Sequence, residues 1–309
     1  MNPASLTPRP LDALNCVLAS VDAVRNGGAM YALLATFAAA GLLLAMSESA
    51  FGRDALVWGV VWGGASLTTL FYGSNATGLL LFDQARGQPP RAVADALVAA
   101  LATAHRLLLV LVCVAGAAAA VLGVLAAALW LTRLPWVGPA LFGLLLPAGV
   151  VAVGVAILSG AVVLAPLAAP AVWSGLGVAA TLGVLARHVR QRLLFVALLM
   201  SAVSGLAALV GALITFAVMT GGRVVSALAV LVVGIELPPQ TLMAGLFGHG
   251  LRSLGAAGAP AAQSAYGQAA LAGGGVVFML VLALPALVYL RGTCAVYLAL
   301  EERDDGLPP

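Results

Sequence analysis

PLAAPAVWSGLGVAATLGVLARHVRQR, residues 166–192, is the stretch around which the chain is organised. Two long apolar runs flank it, and its end carries the densest group of basic side chains: Arg187, Arg190 and Arg192. An apolar stripe precedes them at spacings of 3, 4 and 4 residues: Trp173, Leu176, Ala180 and Val184. One apolar face and a basic end predict a helix in the membrane interface, followed by a span.

Two other segments repeat this arrangement. Residues 11–25 carry an apolar face formed by Leu11, Leu14, Leu18 and Val21. Residues 91–106 carry a second, formed by Val93, Leu97, Leu101 and Ala104. The pattern predicts three copies of one unit, about residues 11–82, 91–164 and 173–290, each a surface amphipathic helix followed by a membrane hairpin. The alternative is that such lead-in helices are common in membrane proteins and indicate no repeat.

The composition identifies lipid as the solvent for much of the chain. The sequence is 63% hydrophobic and only 8% charged, with a mean hydropathy of +1.11. Soluble domains carry about a quarter charged residues. We therefore predict a single integral membrane domain over residues 1–309, with the lipid bilayer as its main partner. The net charge of +3 is dispersed, and no basic run carries interleaved aromatics, which argues against nucleic-acid binding.

Six apolar runs are long enough to cross a bilayer of about 30 Å. They lie at residues 29–46, 55–82, 107–131, 141–164, 193–220 and 265–290. The predicted fold is therefore all-α and polytopic, with six transmembrane helices and three interfacial amphipathic helices. Pro166 and Pro170 are expected to end the fourth span. The long connection at 221–264 is predicted to form two short helices on the outer leaflet, and 291–309 a charged tail.

The distribution of arginines predicts the orientation. The chain has fourteen basic residues, all arginine. Six spans place ten of them on the side of both termini: Arg9, Arg25, Arg86, Arg91, Arg106, Arg187, Arg190, Arg192, Arg291 and Arg303. The other four are Arg53, Arg133, Arg223 and Arg252. Because basic residues mark the cytoplasmic side, we expect a bacterial inner-membrane protein with both termini in the cytoplasm.

No catalytic signature accompanies this architecture. The sequence has no H-E-x-x-H, Walker A or G-x-S-x-G motif. Its three cysteines are widely spaced, and His105 and His188 end surface helices beside arginines. These features favour a non-enzymatic protein without a cofactor or metal.

Two groups in the second span are candidate functional residues. One is a polar stripe at helical spacing: Thr68, Thr69, Tyr72 and Asn75. Such side chains usually form hydrogen bonds between helices or to their own backbone, but they can also face a substrate path. The other is the pair Gly59 and Gly63, a small-residue face that allows close helix packing.

The organising stretch also resembles part of a known protein group. PLAAPAVWSGLGVAATL, followed by the arginine-rich helix end and a span, resembles uncharacterised bacterial multi-pass membrane proteins. These are related to the membrane domain fused to some glycerophosphodiester phosphodiesterases. The matching positions are Pro166, Pro170, Trp173, Gly175 and Gly177. The resemblance implies a helical membrane fold without a defined activity, and the phosphodiesterase chemistry is not implied because that domain is absent.

These observations leave two functional hypotheses. The first is a structural or accessory subunit of a membrane assembly, formed with itself or with another membrane protein. The second is a permease or channel for a small or lipidic molecule, with the polar stripe on its path. The missing ionisable residue within the predicted spans weakens the second, because ion-coupled transport usually needs one.

Overall fold

The computed structural model describes residues 17–89, 91–134, 138–233 and 265–305, and every regular element within these ranges is helical. Six helical stretches in them are long and apolar enough to cross a membrane. They are Gly27–Phe51, Leu56–Ala85, Val93–Leu131, Gly138–Trp173, Val178–Ala229 and Val276–Glu302. This result confirms the all-α class and the six helices of spanning length. The three-fold repeat stays a prediction.

The elements follow one another with short connections. A 3₁₀ helix at Ala19–Arg25 leads to α1, whose first turn is capped by the Asn26 side chain, which accepts from the Ala29 N–H at 3.0 Å. The helices are α1 Gly27–Phe51, α2 Leu56–Ala85, α3 Val93–Leu131, α4 Gly138–Ile157, α5 Ala165–Trp173, α6 Val178–Val233 and α7 Ala265–Asp305. A π-helical turn at Leu158–Leu164 joins α4 to α5 without a break.

The chain divides into two compact units. Of the described residues, unit 1 comprises 17–22, 75–204 and 290–305, and unit 2 comprises 23–74 and 205–289. Helices α3, α4 and α5 therefore belong to unit 1, and α1 belongs to unit 2. Helices α2, α6 and α7 each give one part to each unit. Within unit 1, α3 packs against α4, the π-helical turn and α5.

The second predicted surface helix is continuous with the third span. Helix α3 runs from Val93 to Leu131 without an interruption, whereas two helices meeting near residue 106 were expected. Its buried face is formed by Ala96, Ala100 and Ala104, while Leu97 and Leu101 are exposed. The predicted face was that of an interfacial helix turned to lipid, and its role there stays a prediction. In lipid, small residues allow helices to approach closely, and large apolar side chains gain nothing by turning inward.

The first predicted surface helix is described only in part. Leu11 and Leu14 lie outside the described residues. Leu18 and Val21 are exposed, whereas Val17 and Ser20 are buried. The Ser20 hydroxyl donates to the Val17 carbonyl, which satisfies the buried polar group locally.

Pro166 and Pro170 do not end the fourth span. The helix continues through both prolines to Trp173. The preceding π-helical turn accommodates the change, because the Ala165 N–H donates to the carbonyl of Gly160, five residues back. A proline in a helix leaves one backbone carbonyl without its usual partner, and wider turns are one way to absorb this disruption. Pro147 likewise lies inside α4 without ending it.

The organising stretch is divided between two helices. Helix α5 ends at Trp173, and Gly175 reverses the chain with φ +97°, a conformation that glycine adopts without steric cost. Trp173 therefore lies on a different helix from Ala180 and Val184, and the predicted four-residue stripe is wrong. The buried face of the first turns of α6 is instead formed by Thr181, Leu185 and His188.

Helix α6 is kinked at the position predicted as the boundary between surface helix and span. Arg192 has φ −140° and ψ 23°, so the helix is kinked at the residue where the basic segment was expected to end. Beyond the kink the helix runs to Val233. The two short helices expected over 221–264 are therefore wrong at the start, because residues 221–233 continue α6. Residues 234–264 lie outside the described part of the chain.

The predicted tail is helical up to Asp305. Helix α7 starts at Ala265 and passes residue 290, where the sixth span was expected to end. Val296, Tyr297 and Leu300 on its last turns are buried. Because these three residues pack into unit 1, this segment belongs to the core and is not a solvated tail.

Candidate functional site

A buried cluster around Trp173 joins three helix ends in unit 1. We define the Trp173 cluster as Asn75, Phe82, Trp173, Ser174 and Tyr297. The indole Nε1–H of Trp173 donates to Oδ1 of Asn75 at 3.2 Å. The two side chains are separated by 98 residues in sequence, and both are buried. A buried indole N–H normally finds an acceptor, and Asn75 on α2 supplies it.

The Phe82 ring packs between two other aromatic rings. Its centroid lies 6.4 Å from that of Trp173 and 6.4 Å from that of Tyr297, with interplanar angles of 62° and 49°. These tilted geometries suit the ring quadrupoles. The Tyr297 hydroxyl lies 3.2 Å from Oγ of Ser174, so α7 and the turn after α5 are also joined by a hydrogen bond.

The indole of Trp173 needs a glycine opposite it. A methyl group at Gly78 would overlap with the six-membered ring of the indole. Gly78 lies one turn after Asn75 on α2, so the same helix face supplies both the acceptor and the space for the ring. Gly292 on α7 is similar, since a methyl group there would overlap with Val203.

Charged residues surround the cluster near the end of α2. The guanidinium carbon of Arg86 lies 4.4 Å from the centroid of the Phe82 ring, and its Nη2 lies 3.8 Å from Oε2 of Glu301. Asp83 is only 5% exposed and accepts from Arg91 at both oxygens, at 2.9 Å from Nε and 3.1 Å from Nη2. Bidentate contacts of this kind fix both partners.

The contacts of the Trp173 cluster are structural: they hold helices together. Its hydrogen bonds and ring contacts connect the ends of α2, α5 and α7, and the Asp83–Arg91 pair fixes the start of α3. Within the described ranges, no group of three His, Cys, Asp or Glu side chains could hold a metal ion.

The residues of the predicted polar stripe have different surroundings. Thr68 is exposed, and its hydroxyl donates to the Ala65 carbonyl of its own helix at 2.9 Å. Thr69 and Tyr72 are half-buried, and Tyr72 contacts Phe71 edge-on at 5.5 Å between centroids. Asn75 is buried and bonded to Trp173. Two of the four residues thus have structural hydrogen bonds, one local and one long-range.

Gly59 and Gly63 lie where α2 approaches α1 in unit 2. The Ser47 hydroxyl donates to the carbonyl of Gly59 at 2.7 Å. A Cβ at Gly63 would lie 3.2 Å from Ser47 Oγ, and one at Gly59 would overlap with the Phe51 ring. A side chain at Gly59 would therefore require the Phe51 ring to shift, and one at Gly63 would be tight against Ser47.

We expect Gly63→Leu to weaken the packing of α1 on α2, because the added side chain would push Ser47 away. A loss of several degrees in unfolding temperature is expected in detergent. The matched control is Gly64→Leu, since a Cβ at Gly64 has no neighbour within 4 Å in the part of the chain that the structure describes. Thermal unfolding followed by circular dichroism measures both variants, and equal losses would contradict the predicted contact.

The predicted basic cluster borders a surface groove. We define the arginine groove as the cavity of about 500 Å³ lined by Gly183, Ala186, Arg187, Arg190 and Gln191. All five residues are exposed. Arg192, the third member of the predicted basic cluster, is half-buried at the kink and does not line the groove.

Sequence reasoning missed three members of the Trp173 cluster: Phe82, Ser174 and Tyr297. Phe82 was placed at the end of a span and Tyr297 in the tail, and neither belongs to a motif. Tyr297 meets Ser174 across 123 residues of sequence, a separation that periodicity cannot detect. The one available signal was the polarity of Asn75 in an apolar helix, which requires a partner.

Comparison with family models, with curated proteins and with solved structures gives no match to this chain.

Proposed function

We propose that the protein is a non-enzymatic, multi-pass membrane protein that acts as a structural or accessory subunit of a membrane assembly. The observation that supports this function best is that polar side chains within the helices form hydrogen bonds to other helices. Ser47 and Ser66 donate to backbone carbonyls of a neighbouring helix, Gly59 and Ala40, and Asn75 receives the Trp173 indole. These groups hold helices together, as polar residues do in membrane bundles.

A second observation favours a partner in the membrane. The most apolar windows of Val93–Leu131 and Gly138–Trp173 are only 11% and 6% buried. On the exposed surface of α3, small residues recur at spacings of 4, 3 and 4: Gly116, Ala120, Gly123 and Ala127. Among the described residues, neither glycine has a neighbour within 4 Å of a Cβ position. Small residues on one face allow another helix to approach closely, as in a homo-oligomer or a complex with another membrane protein.

Mild-detergent purification tests this proposal. We expect the full chain to elute above the mass of a monomer, and the double substitution Gly116→Leu/Gly123→Leu to shift it to the monomer. The control is Gly41→Leu on α1, which adds a leucine at another open position. Light scattering after size exclusion gives the mass, and mass spectrometry identifies a co-purifying protein. A monomer without a partner, unchanged by the substitutions, would contradict the proposal.

A permease or channel for a small or lipidic molecule is the alternative, and Thr68→Val distinguishes it. The Thr68 hydroxyl bonds to its own helix, so its loss should cost about 0.6 kcal/mol, the average for membrane hydrogen bonds. A folded, well-expressed Thr68→Val variant that loses a cellular phenotype of the wild type would favour the permease.

We further propose a bacterial inner-membrane location with both termini in the cytoplasm, supported by the ten-to-four arginine distribution. Reporter fusions after Asp54, Pro90, Arg133, Arg192 and Pro260 are expected to report outside, inside, outside, inside and outside. A cytoplasmic signal from the fusion after Pro260 would indicate a seventh crossing and an external C-terminus.

A further inference from the structure

We propose that the arginine groove binds the headgroup of an anionic phospholipid. Arg187 and Arg190 are separated by three residues on α6 and line the same cavity, so their guanidinium groups can act on one ligand. Gly183 and Ala186 line the cavity with little bulk, and its volume of about 500 Å³ suits a small ligand.

The charges of this groove are not neutralised within the described part of the chain. There, Arg187 and Arg190 form no ion pair and no side-chain hydrogen bond, whereas Arg86 pairs with Glu301 and Arg91 with Asp83. Gln191 adds an amide that can donate to an oxygen. Two unpaired guanidinium groups and an amide form a set of donors suited to phosphate oxygens, which arginine binds in a bidentate manner.

The position of the groove favours a lipid over a free phosphate ion. It immediately precedes the kink at Arg192, where the segment predicted to lie at the interface joins the span. Leu194 and Leu198 follow within two turns and are 73% and 71% exposed. The chain thus changes from exposed arginine to exposed leucine over one or two helical turns. A phospholipid changes in the same order from phosphate to acyl chain, and basic pockets beside spans bind such headgroups.

The test measures lipid retention by the full-length protein. The protein is purified in mild detergent, incubated with phosphatidylglycerol or phosphatidylcholine, and analysed by native mass spectrometry. We expect phosphatidylglycerol to be retained, and Arg187→Gln/Arg190→Gln to weaken its binding by about tenfold or more. The matched control, Arg53→Gln/Arg133→Gln, removes two exposed arginines from the connections after α1 and α3 and should leave retention unchanged.

Three results would overturn the proposal. Equal losses in the two double variants would show a general effect of charge. Equal retention of phosphatidylcholine would show that the anionic headgroup is not recognised. Displacement of phosphatidylglycerol by millimolar inorganic phosphate would identify a site for the free ion. Each variant must also fold like the wild type, as judged by its circular dichroism spectrum and its elution volume. Arg187→Lys/Arg190→Lys adds a second comparison, because it keeps the charge, loses the bidentate geometry and should retain intermediate binding.

Discussion

Trp173→Ala is expected to lower the free energy of unfolding by about 3 to 5 kcal/mol, the usual cost of emptying the space of a buried aromatic ring. The indole fills the gap beside Gly78 and packs on Phe82, so the surrounding helices cannot close the cavity without moving. The substitution also removes the indole N–H that donates a hydrogen bond to Oδ1 of Asn75. Reversible unfolding of the detergent-solubilised protein in sodium dodecyl sulfate measures the effect.

Two further tryptophan variants separate the parts of this effect. Trp130→Ala is the matched control, because this indole is 65% exposed and its loss leaves no internal cavity. Trp173→Phe keeps most of the ring volume and removes the N–H, so it should cost about 1 kcal/mol, the net value of one hydrogen bond. Similar losses for Trp173→Ala and Trp130→Ala would show that the Trp173 cluster does not hold unit 1 together.

Arg91→Gln is expected to destabilise the protein by about 3 kcal/mol, the lower end of the range for breaking a buried ion pair. The reason lies in the partner left behind, since the Asp83 side chain is 7% exposed and would keep a charge without its bidentate donor. The lower end applies because the Arg91 side chain is 33% exposed and already partly solvated. The same unfolding titration measures the change.

The double variant Asp83→Asn/Arg91→Gln provides the decisive comparison. It removes both charges and should be more stable than Arg91→Gln alone, because no buried carboxylate remains. Arg86→Gln is the control for an exposed pair. Its partner lies 3.8 Å away and both side chains are at least 32% exposed, so the pair should contribute about 1 kcal/mol or less. Loss of the cation–π contact with Phe82 should add about 0.5 to 1 kcal/mol. If the double variant is no more stable than Arg91→Gln alone, the unpaired charge of Asp83 is not the cause of the destabilisation.

The helices of spanning length were predictable because lipid imposes a simple requirement on the chain. Apolar runs near 20 residues must be helical to satisfy their backbone groups in hydrocarbon. The same lipid made the helix faces hard to predict. In α3 the spacing selected Leu97 and Leu101 as the apolar face of an interfacial helix, whereas the face buried within the protein is formed by Ala96 and Ala100.

The ends of helices were the least predictable feature. A proline usually ends a helix, but at Pro166 the π-helical turn before it lets the helix continue to Trp173. The charges after residue 290 indicated a charged tail beyond the last span, yet Tyr297 is buried and contacts Phe82. Both outcomes depend on contacts between distant segments, which local composition does not encode.

The candidate site was predictable only in part. Asn75 was selected from sequence because a polar amide in a span needs a partner, and Trp173 because it opened an apolar stripe. Nothing local connected the two, and the stripe placed Trp173 on the wrong helix. The arginines were selected as a cluster, but the groove beside Arg187 and Arg190 follows from the three-dimensional arrangement of α6.

The π-helical turn at Leu158–Leu164 also sets the direction around the helix axis in which each following residue points, up to Trp173. An α-helix rotates by about 100° for each residue, so deleting one residue from this turn would rotate the indole by that angle, away from Asn75. Exchanges among alanine, valine and leucine leave this direction unchanged. Across related sequences, the number of residues between Pro147 and Trp173 should therefore be kept more strictly than their identities.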